Sequence, residues 1–214
     1  MVLEGKKINF LGDSITEGAG ASSVPTRYTC LVEKMAKLGA MRNYGIGGTR
    51  IAKQKTVTNE VYDLNDFCGR FSKMDDDADI IVVFGGTNDY GHGDADFGSF
   101  EDRTPDTYCG ALHYLMRGLI EKYPDKTIVF MTPLHREGDS IPNQLHEKTL
   151  KDYVDMMRIT AEYYSIPVLD LFASAGIQPD IEAHKNTYCP DGLHPNDKGN
   201  QVIANRLIHF LEML

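Results

Sequence analysis

Apolar positions along this chain follow two alternating periodicities. Five short runs have strand character, at residues 8–11, 41–44, 80–84, 127–131 and 166–169. The third, Ile80-Ile81-Val82-Val83-Phe84, is apolar throughout, the pattern of a strand covered on both faces. Between the runs, apolar side chains recur at helical spacing. Residues 25–38 carry Leu31, Val32, Met35 and Leu38 on one stripe. Residues 105–123 place Leu112, Leu115, Met116 and Leu119 alike, with Pro105 suited to a first turn. Segments 143–165 and 197–214 complete the set, the last with Val202, Ile203, Leu207 and Phe210 on its apolar side.

Strand alternating with helix predicts parallel β-α-β units with right-handed crossovers. The expected fold is therefore α/β: a three-layer α/β/α sandwich, flavodoxin-like, with a five-stranded parallel sheet of order 2-1-3-4-5. No repeat, low-complexity tract or linker divides the sequence, so residues 1–214 are expected to form one domain. Segment 85–105 is too long for an ordinary strand-to-helix connection and is expected to wall a site.

Composition narrows the partners. A net charge of −9 argues against nucleic acid, which requires clustered Lys and Arg, and against an anionic membrane surface. The first residues lack the apolar core of a signal peptide, and no run approaches the length of a membrane span. Cys30, Cys68, Cys109 and Cys189 are far apart and form no C-x-x-C pair, which points to reduced thiols in a cytoplasmic protein. Oligomeric state is not legible at this level.

The candidate chemistry lies where strands end, the place at which parallel sheets hold their ligands. The first run breaks into Gly12-Asp13-Ser14, followed by glycine at positions 18 and 20. Ser14 there suits a nucleophile, a phosphate-binding hydroxyl, or a helix cap, since Ser14-x-x-Glu17 matches a capping box. The second run ends in Asn43-Tyr44-Gly45-Ile46-Gly47-Gly48-Thr49, a turn in which the Gly48 N–H is a candidate oxyanion donor. The third ends in Gly85-Gly86-Thr87-Asn88-Asp89, where Asn88 either stabilises a turn or presents its amide to a reacting centre. Near the carboxyl end, Asp191-Gly192-Leu193-His194 precedes Pro195 and the last helix. A neutral imidazole takes a proton from a serine when a carboxylate holds its other nitrogen, and an Asp three residues earlier on a tight loop can supply that carboxylate.

Gly-Asp-Ser, Asn-x-x-x-x-Gly, Gly-x-Asn-Asp and terminal Asp-x-x-His, in that order and across nearly the whole chain, resemble the four blocks of the SGNH, or GDSL-type, esterases and lipases. The resemblance implies serine-dependent hydrolysis of a carboxylic ester. Ser14 would be the nucleophile, His194 the general base and Asp191 the group that orients the ring. The oxyanion hole would comprise the N–H groups of Ser14 and Gly48 and the Asn88 side chain. No metal or organic cofactor is implied. The first block reads Ile15 where the family name has Leu, a conservative departure. The nucleophile-elbow pattern G-x-S-x-G is absent around Ser14, which disfavours an ordinary α/β-hydrolase.

Candidate substrate contacts are Asp13, Arg50, His92 and His135. His92 with Asp94 and Asp96 fits no standard metal spacing. The expected substrate is a small-molecule ester, a short acyl group on a soluble or carbohydrate alcohol, with lysophospholipase or thioesterase chemistry as the alternative. A different class is also open: a non-catalytic flavin- or nucleotide-binding module, in which Ser14, Thr16, Gly18 and Gly20 cradle phosphate. Such a module has no need for Asp191, His194 or Asn88.

Overall fold

Five parallel strands form the middle layer of the computed structural model, which describes residues 1–214. The strands are β1 (Lys7–Gly12), β2 (Ala40–Gly45), β3 (Ile80–Phe84), β4 (Thr127–Met131) and β5 (Val168–Leu169). Their order is β2-β1-β3-β4-β5, the flavodoxin-like order expected, and every neighbouring pair is parallel, as the alternation of strand and helix predicts. The helices, in chain order, are α1 (Ser14–Glu17), α2 (Tyr28–Ala36), α3 (Glu60–Asp63), α4 (Phe67–Arg70) and α5 (Thr87–His92). They continue as α6 (Tyr108–Lys122), α7 (Leu150–Tyr163), α8 (Leu171–Ser174), α9 (Glu182–Tyr188) and α10 (Asp197–Met213).

Period-two alternation along the strands divides the apolar side chains between two layers of helix. Ile8 and Phe10, Ile80, Val82 and Phe84, and Val129 and Met131 face Tyr28 and Val32 of α2 and Ile203, Leu207 and Leu211 of α10. Leu11, Ile81, Val83, Ile128 and Phe130 face the other way, onto Leu112, Leu115 and Leu119 of α6 and Tyr153, Val154 and Met157 of α7. The three-layer sandwich follows from that division.

Several boundaries differ from the expected ones for local reasons. The second helix starts at Tyr28 because Val24–Thr26 forms a separate 3-10 turn, and it stops at Lys37, which adopts the left-handed conformation at φ 51°. Met35, placed on the apolar stripe, is exposed, so the buried face of α2 is narrower than the sequence pattern. Residues 143–149 are not helical: Asn143 accepts from the N–H of His146 and ties this turn to Tyr90 O and the Tyr153 hydroxyl through Nδ2. Segment 85–105 is not all loop, because α5 occupies its first part; glycine and polar residues there give no apolar stripe to read.

The carboxyl ends of β1 and β2 close on α1. A Cβ at Gly12 would lie 1.9 Å from Thr16 Oγ1, and one at Gly45 would lie 2.2 Å from the Glu17 main-chain nitrogen. Only glycine admits this approach, and it is what brings the second strand's loop against the residues that follow the first. Arg70 seals the same rim. Its Nη2 donates to Gly12 O at 2.7 Å and Thr49 Oγ1 at 3.1 Å, its Nη1 to Tyr44 O, and its Nε to Asn65 O at 2.8 Å. The guanidinium stacks over Phe67, and burial pulls its pKa down to about 10. Arg70→Met is expected to lower stability by about 2–3 kcal/mol in urea unfolding, since it strands buried carbonyls at two strand ends. A loss below about 0.5 kcal/mol would show that the rim does not depend on it.

Candidate active site

Ser14 is the first residue of α1, immediately beyond β1. The cap of that helix is Asp13, whose Oδ1 accepts from the Ile15 N–H at 3.0 Å. Glu17 accepts from the Gly47 N–H at 2.8 Å and so joins α1 to the second loop. The capping-box alternative for Ser14 is thereby corrected: the cap sits one residue earlier and the serine hydroxyl is left for another partner.

That partner is His194. Ser14 Oγ and His194 Nε2 are 3.0 Å apart, and His194 Nδ1 lies 2.7 Å from Asp191 Oδ2. An ionised carboxylate only accepts, so the Nδ1 proton belongs to the bond with Asp191 and the neutral ring's Nε2 accepts from the serine. Asp191 Oδ1 also takes the N–H groups of Leu193 at 2.9 Å and His194 at 2.7 Å. Burial would raise the Asp191 carboxyl; the hydrogen bonds from the His194 ring and the two N–H groups outweigh it and hold it below the ordinary value.

Two helices fix the His194 loop. Asn200 of α10 donates to Pro195 O at 2.7 Å while accepting the Tyr28 N–H of α2 at 2.9 Å. Ser22 donates through its N–H and hydroxyl to Asp197 at the start of α10. A Cβ at Gly20 would meet Pro195 O at 2.5 Å, so the glycine loop after α1 runs directly beside His194.

Gly48 has φ +74°, and its N–H and that of Ser14 have no partner within the protein. The Gly47-Gly48 turn passes Ser14 closely: a Cβ at Gly47 would be 3.7 Å from Ser14 Cβ. Asn88 Nδ2 gives one hydrogen to Thr49 O at 3.0 Å, which brings the third loop onto the second. Ser14, Gly48, Asn88, Asp191 and His194 thus gather from four separate stretches of chain.

The other candidates are less uniform. Arg50 is 3% exposed, ion-paired with Asp63, and donates to Gly48 O at 2.9 Å; it braces the second loop from within. Burial would raise the Asp63 carboxyl, but N–H donors from Asn59 and Thr58 together with Arg50 and the Thr58 hydroxyl drive it far down. His92 lies at the exposed end of α5, its Nδ1 3.4 Å from Arg50 Nη1. Partial burial and the neighbouring guanidinium groups of Arg50 and Arg136 lower its pKa. Asp94 caps the N–H groups of Lys55 and Thr56, while Asp96 pairs with Lys55. His135 stacks on Phe172 and bonds Asp139 at 2.6 Å. A cleft of about 580 Å³ opens beside α5, lined by Tyr90, His92, Arg136, Asn143, Gln144 and Leu145 among others.

Sequence reasoning missed the braces. Asp89 accepts from Ile51 N–H and Ala52 N–H, both at 3.0 Å, and holds the second loop against α5. It stands in the quoted Gly-x-Asn-Asp block, which was the available signal. Arg70 and Asn200 lie in unremarkable helical sequence and carried none. Burial is the main cause that pushes both Asp13 and Asp89 up to about 6.

That shift has a sign. Folding raises the proton affinity of Asp13 above its usual 3.8, so its contribution favours the folded state at low pH and is lost as pH rises from there through about 6. Asp13→Asn keeps the Oδ1 acceptor and removes the charge. Its Tm relative to the parent is expected to move in the variant's favour as pH increases from about 4 to about 7. A difference that does not vary with pH would contradict this.

Comparison with curated proteins gives no match. Among solved structures, a protein from Lactobacillus plantarum is 31% identical with a TM-score of 0.87, the alignment covering 99% of this chain and 98% of that one. A protein from Bacteroides ovatus ATCC 8483 described as a GDSL-like lipase is 21% identical with a TM-score of 0.72, covering 98% of this chain and 99% of the other. A two-domain esterase active on acetylated mannans is also 21% identical, with a TM-score of 0.65, covering 99% of this chain and 49% of its own. At that identity the last two speak to the fold. The model of the GDSL-like lipase/acylhydrolase family matches residues 10–202, from the first strand into the last helix, and the chain belongs to that family of hydrolases.

Proposed function

We propose that the protein hydrolyses carboxylic esters through an acyl-enzyme on Ser14. The observation that carries this is the continuous relay from Ser14 Oγ through His194 to Asp191, with separations of 3.0 Å and 2.7 Å. As Ser14 Oγ attacks the ester carbonyl, His194 Nε2 takes its proton, and Asp191 holds the ring and offsets the charge that forms. The tetrahedral oxyanion is received by the Ser14 and Gly48 N–H groups, which have no internal partner, and by the second hydrogen of Asn88 Nδ2. His194 then protonates the departing alcohol. Water, deprotonated by the same nitrogen, releases the acyl group.

The substrate is a small-molecule ester with a short acyl group, its alcohol soluble or carbohydrate. The cleft beside α5 presents His92, Asp94, Arg136 and Asn143, no helix is long and apolar enough to cross a membrane, and one fold neighbour acts on acetylated mannans. A phosphate-cradling module fits poorly. The Ser14 hydroxyl is engaged with His194, and Glu17 projects its carboxylate onto the second loop, where it would repel phosphate.

Ser14→Ala is expected to abolish hydrolysis of p-nitrophenyl acetate with no change in thermal melting. Asn88→Ala should lower kcat by about 10²–10³, the scale for one oxyanion donor, with a smaller effect on KM. Turnover by Ser14→Ala at the parent rate would remove the nucleophile from the proposal.

A further inference from the structure

One cation beside this site has no role in the reaction above. Arg42, Arg50, Arg117 and Arg158 each pair with a carboxylate, whereas Arg136 makes no ion pair in a chain of net charge −9. It is half-buried nonetheless. Its Nη1 reaches Thr87 O at 3.3 Å and Thr87 Oγ1 at 3.4 Å, one residue before Asn88, and its guanidinium stacks over Tyr90. A Cβ at Gly91 would lie 2.6 Å from Nη1, so that glycine leaves the group its place. The next residue, Glu137, donates its N–H to Gly192 O at 2.7 Å, between Asp191 and His194. Residues 136–137 are therefore held between the Asn88 helix and the His194 loop.

The acids around the cleft are already engaged. Asp94 takes the N–H groups of Lys55 and Thr56, Glu137 pairs with Lys185 at 2.7 Å, and Asp139 takes His135 and the Arg136 main-chain N–H. Asn143 is used on both sides of its amide. Arg136, His92 and Gln144 are left with hydrogen-bonding capacity to spare. Nε and Nη2 of Arg136 have no protein partner and are not sealed from solvent. A planar guanidinium fork presented in this way matches the oxygens of a carboxylate or phosphate.

We infer that Arg136 binds an anionic group of the substrate, so that the ester hydrolysed carries a carboxylate or phosphate seated in the cleft beside α5. This rests on the ester-hydrolase proposal and adds the substrate's charge to it. The anion sits on the acyl or the alcohol side, and matched ester pairs separate the two. On the acyl side, the p-nitrophenyl esters of succinic acid and of succinamic acid differ by a carboxylate against an amide. On the alcohol side, 4-carboxyphenyl acetate and 4-carbamoylphenyl acetate differ likewise, and 4-phosphonooxyphenyl acetate reports phosphate.

In the unaltered protein, kcat/KM is expected to favour the charged member of at least one pair by about 10–100-fold after correction for spontaneous hydrolysis, the scale of a hydrogen-bonded charge. Arg136→Gln should collapse that ratio towards one, and Arg136→Lys should restore part of it. Should Arg136→Gln not fold, competition decides the matter: succinate should inhibit neutral-ester hydrolysis at least tenfold more strongly than succinamide. Ratios near one in the unaltered protein, or an equal loss on charged and neutral esters in Arg136→Gln, would overturn the inference. Either result leaves the nucleophile assignment intact as long as hydrolysis still requires Ser14, so the two failures are distinguishable.

Discussion

The hydrogen bond between Ser14 and His194 joins residues 180 positions apart in the chain, and most of the rim of the sheet serves to hold its two ends in register. Neither side chain reaches the other by local geometry. Ser14 is placed by the end of β1 and the Asp13 cap, His194 by the turn on Asp191 and the entry into α10. Asn200 links that entry to α2, and Ser22 links the glycine loop to Asp197. The ordering entropy of bringing these groups together is met by folding, before any ligand arrives.

Strand order supplies the rest of the constraint. With β2 and β3 flanking β1, the loops after all three strands open at one end of the sheet, and each must pack without excluding the others. Glycine at 12 and 45 allows backbone to meet backbone there. The rim then needs buried donors and acceptors for carbonyl and amide groups that the ladders no longer satisfy. Arg70 serves the carbonyls of Gly12 and Tyr44; Asp89 serves the amides of Ile51 and Ala52; Arg50 and Asp63 clamp the loop between them. Burial raises the proton affinity of Asp13 and Asp89 and lowers that of Arg70, and the attraction between Asp13 and Arg70 only partly offsets it.

The parts legible in sequence are those with strong local signals. The strands at 80–84 and 127–131 have the bounds that their apolar runs suggest, parallel pairing follows from the alternation of strand and helix, and the order is the flavodoxin-like one expected. Ser14, Gly48, Asn88, Asp191 and His194 stood out because each lies in a short block at a strand end or before the last helix. What stayed hidden depends on contacts distant in sequence. Arg50, a candidate substrate contact by sequence, is buried against Asp63, and Arg70 sits in a four-residue helix with no periodicity. The capping box that Ser14-x-x-Glu17 offers as one alternative does not form, because Asp13 caps α1 one residue earlier. The geometry of the His194 loop decided it, by taking the serine hydroxyl.

In the proposed reaction the sheet supplies rigidity and the four loops supply chemistry, with Arg136 adding a charge that selects among esters. Its central claim is that Ser14 is the one activated nucleophile. Incubation with a fluorophosphonate followed by peptide mass spectrometry tests this most directly. The account predicts one adduct per chain, on Ser14, forming far more slowly in His194→Ala. An adduct on another residue, or none in protein that turns over esters, would contradict it.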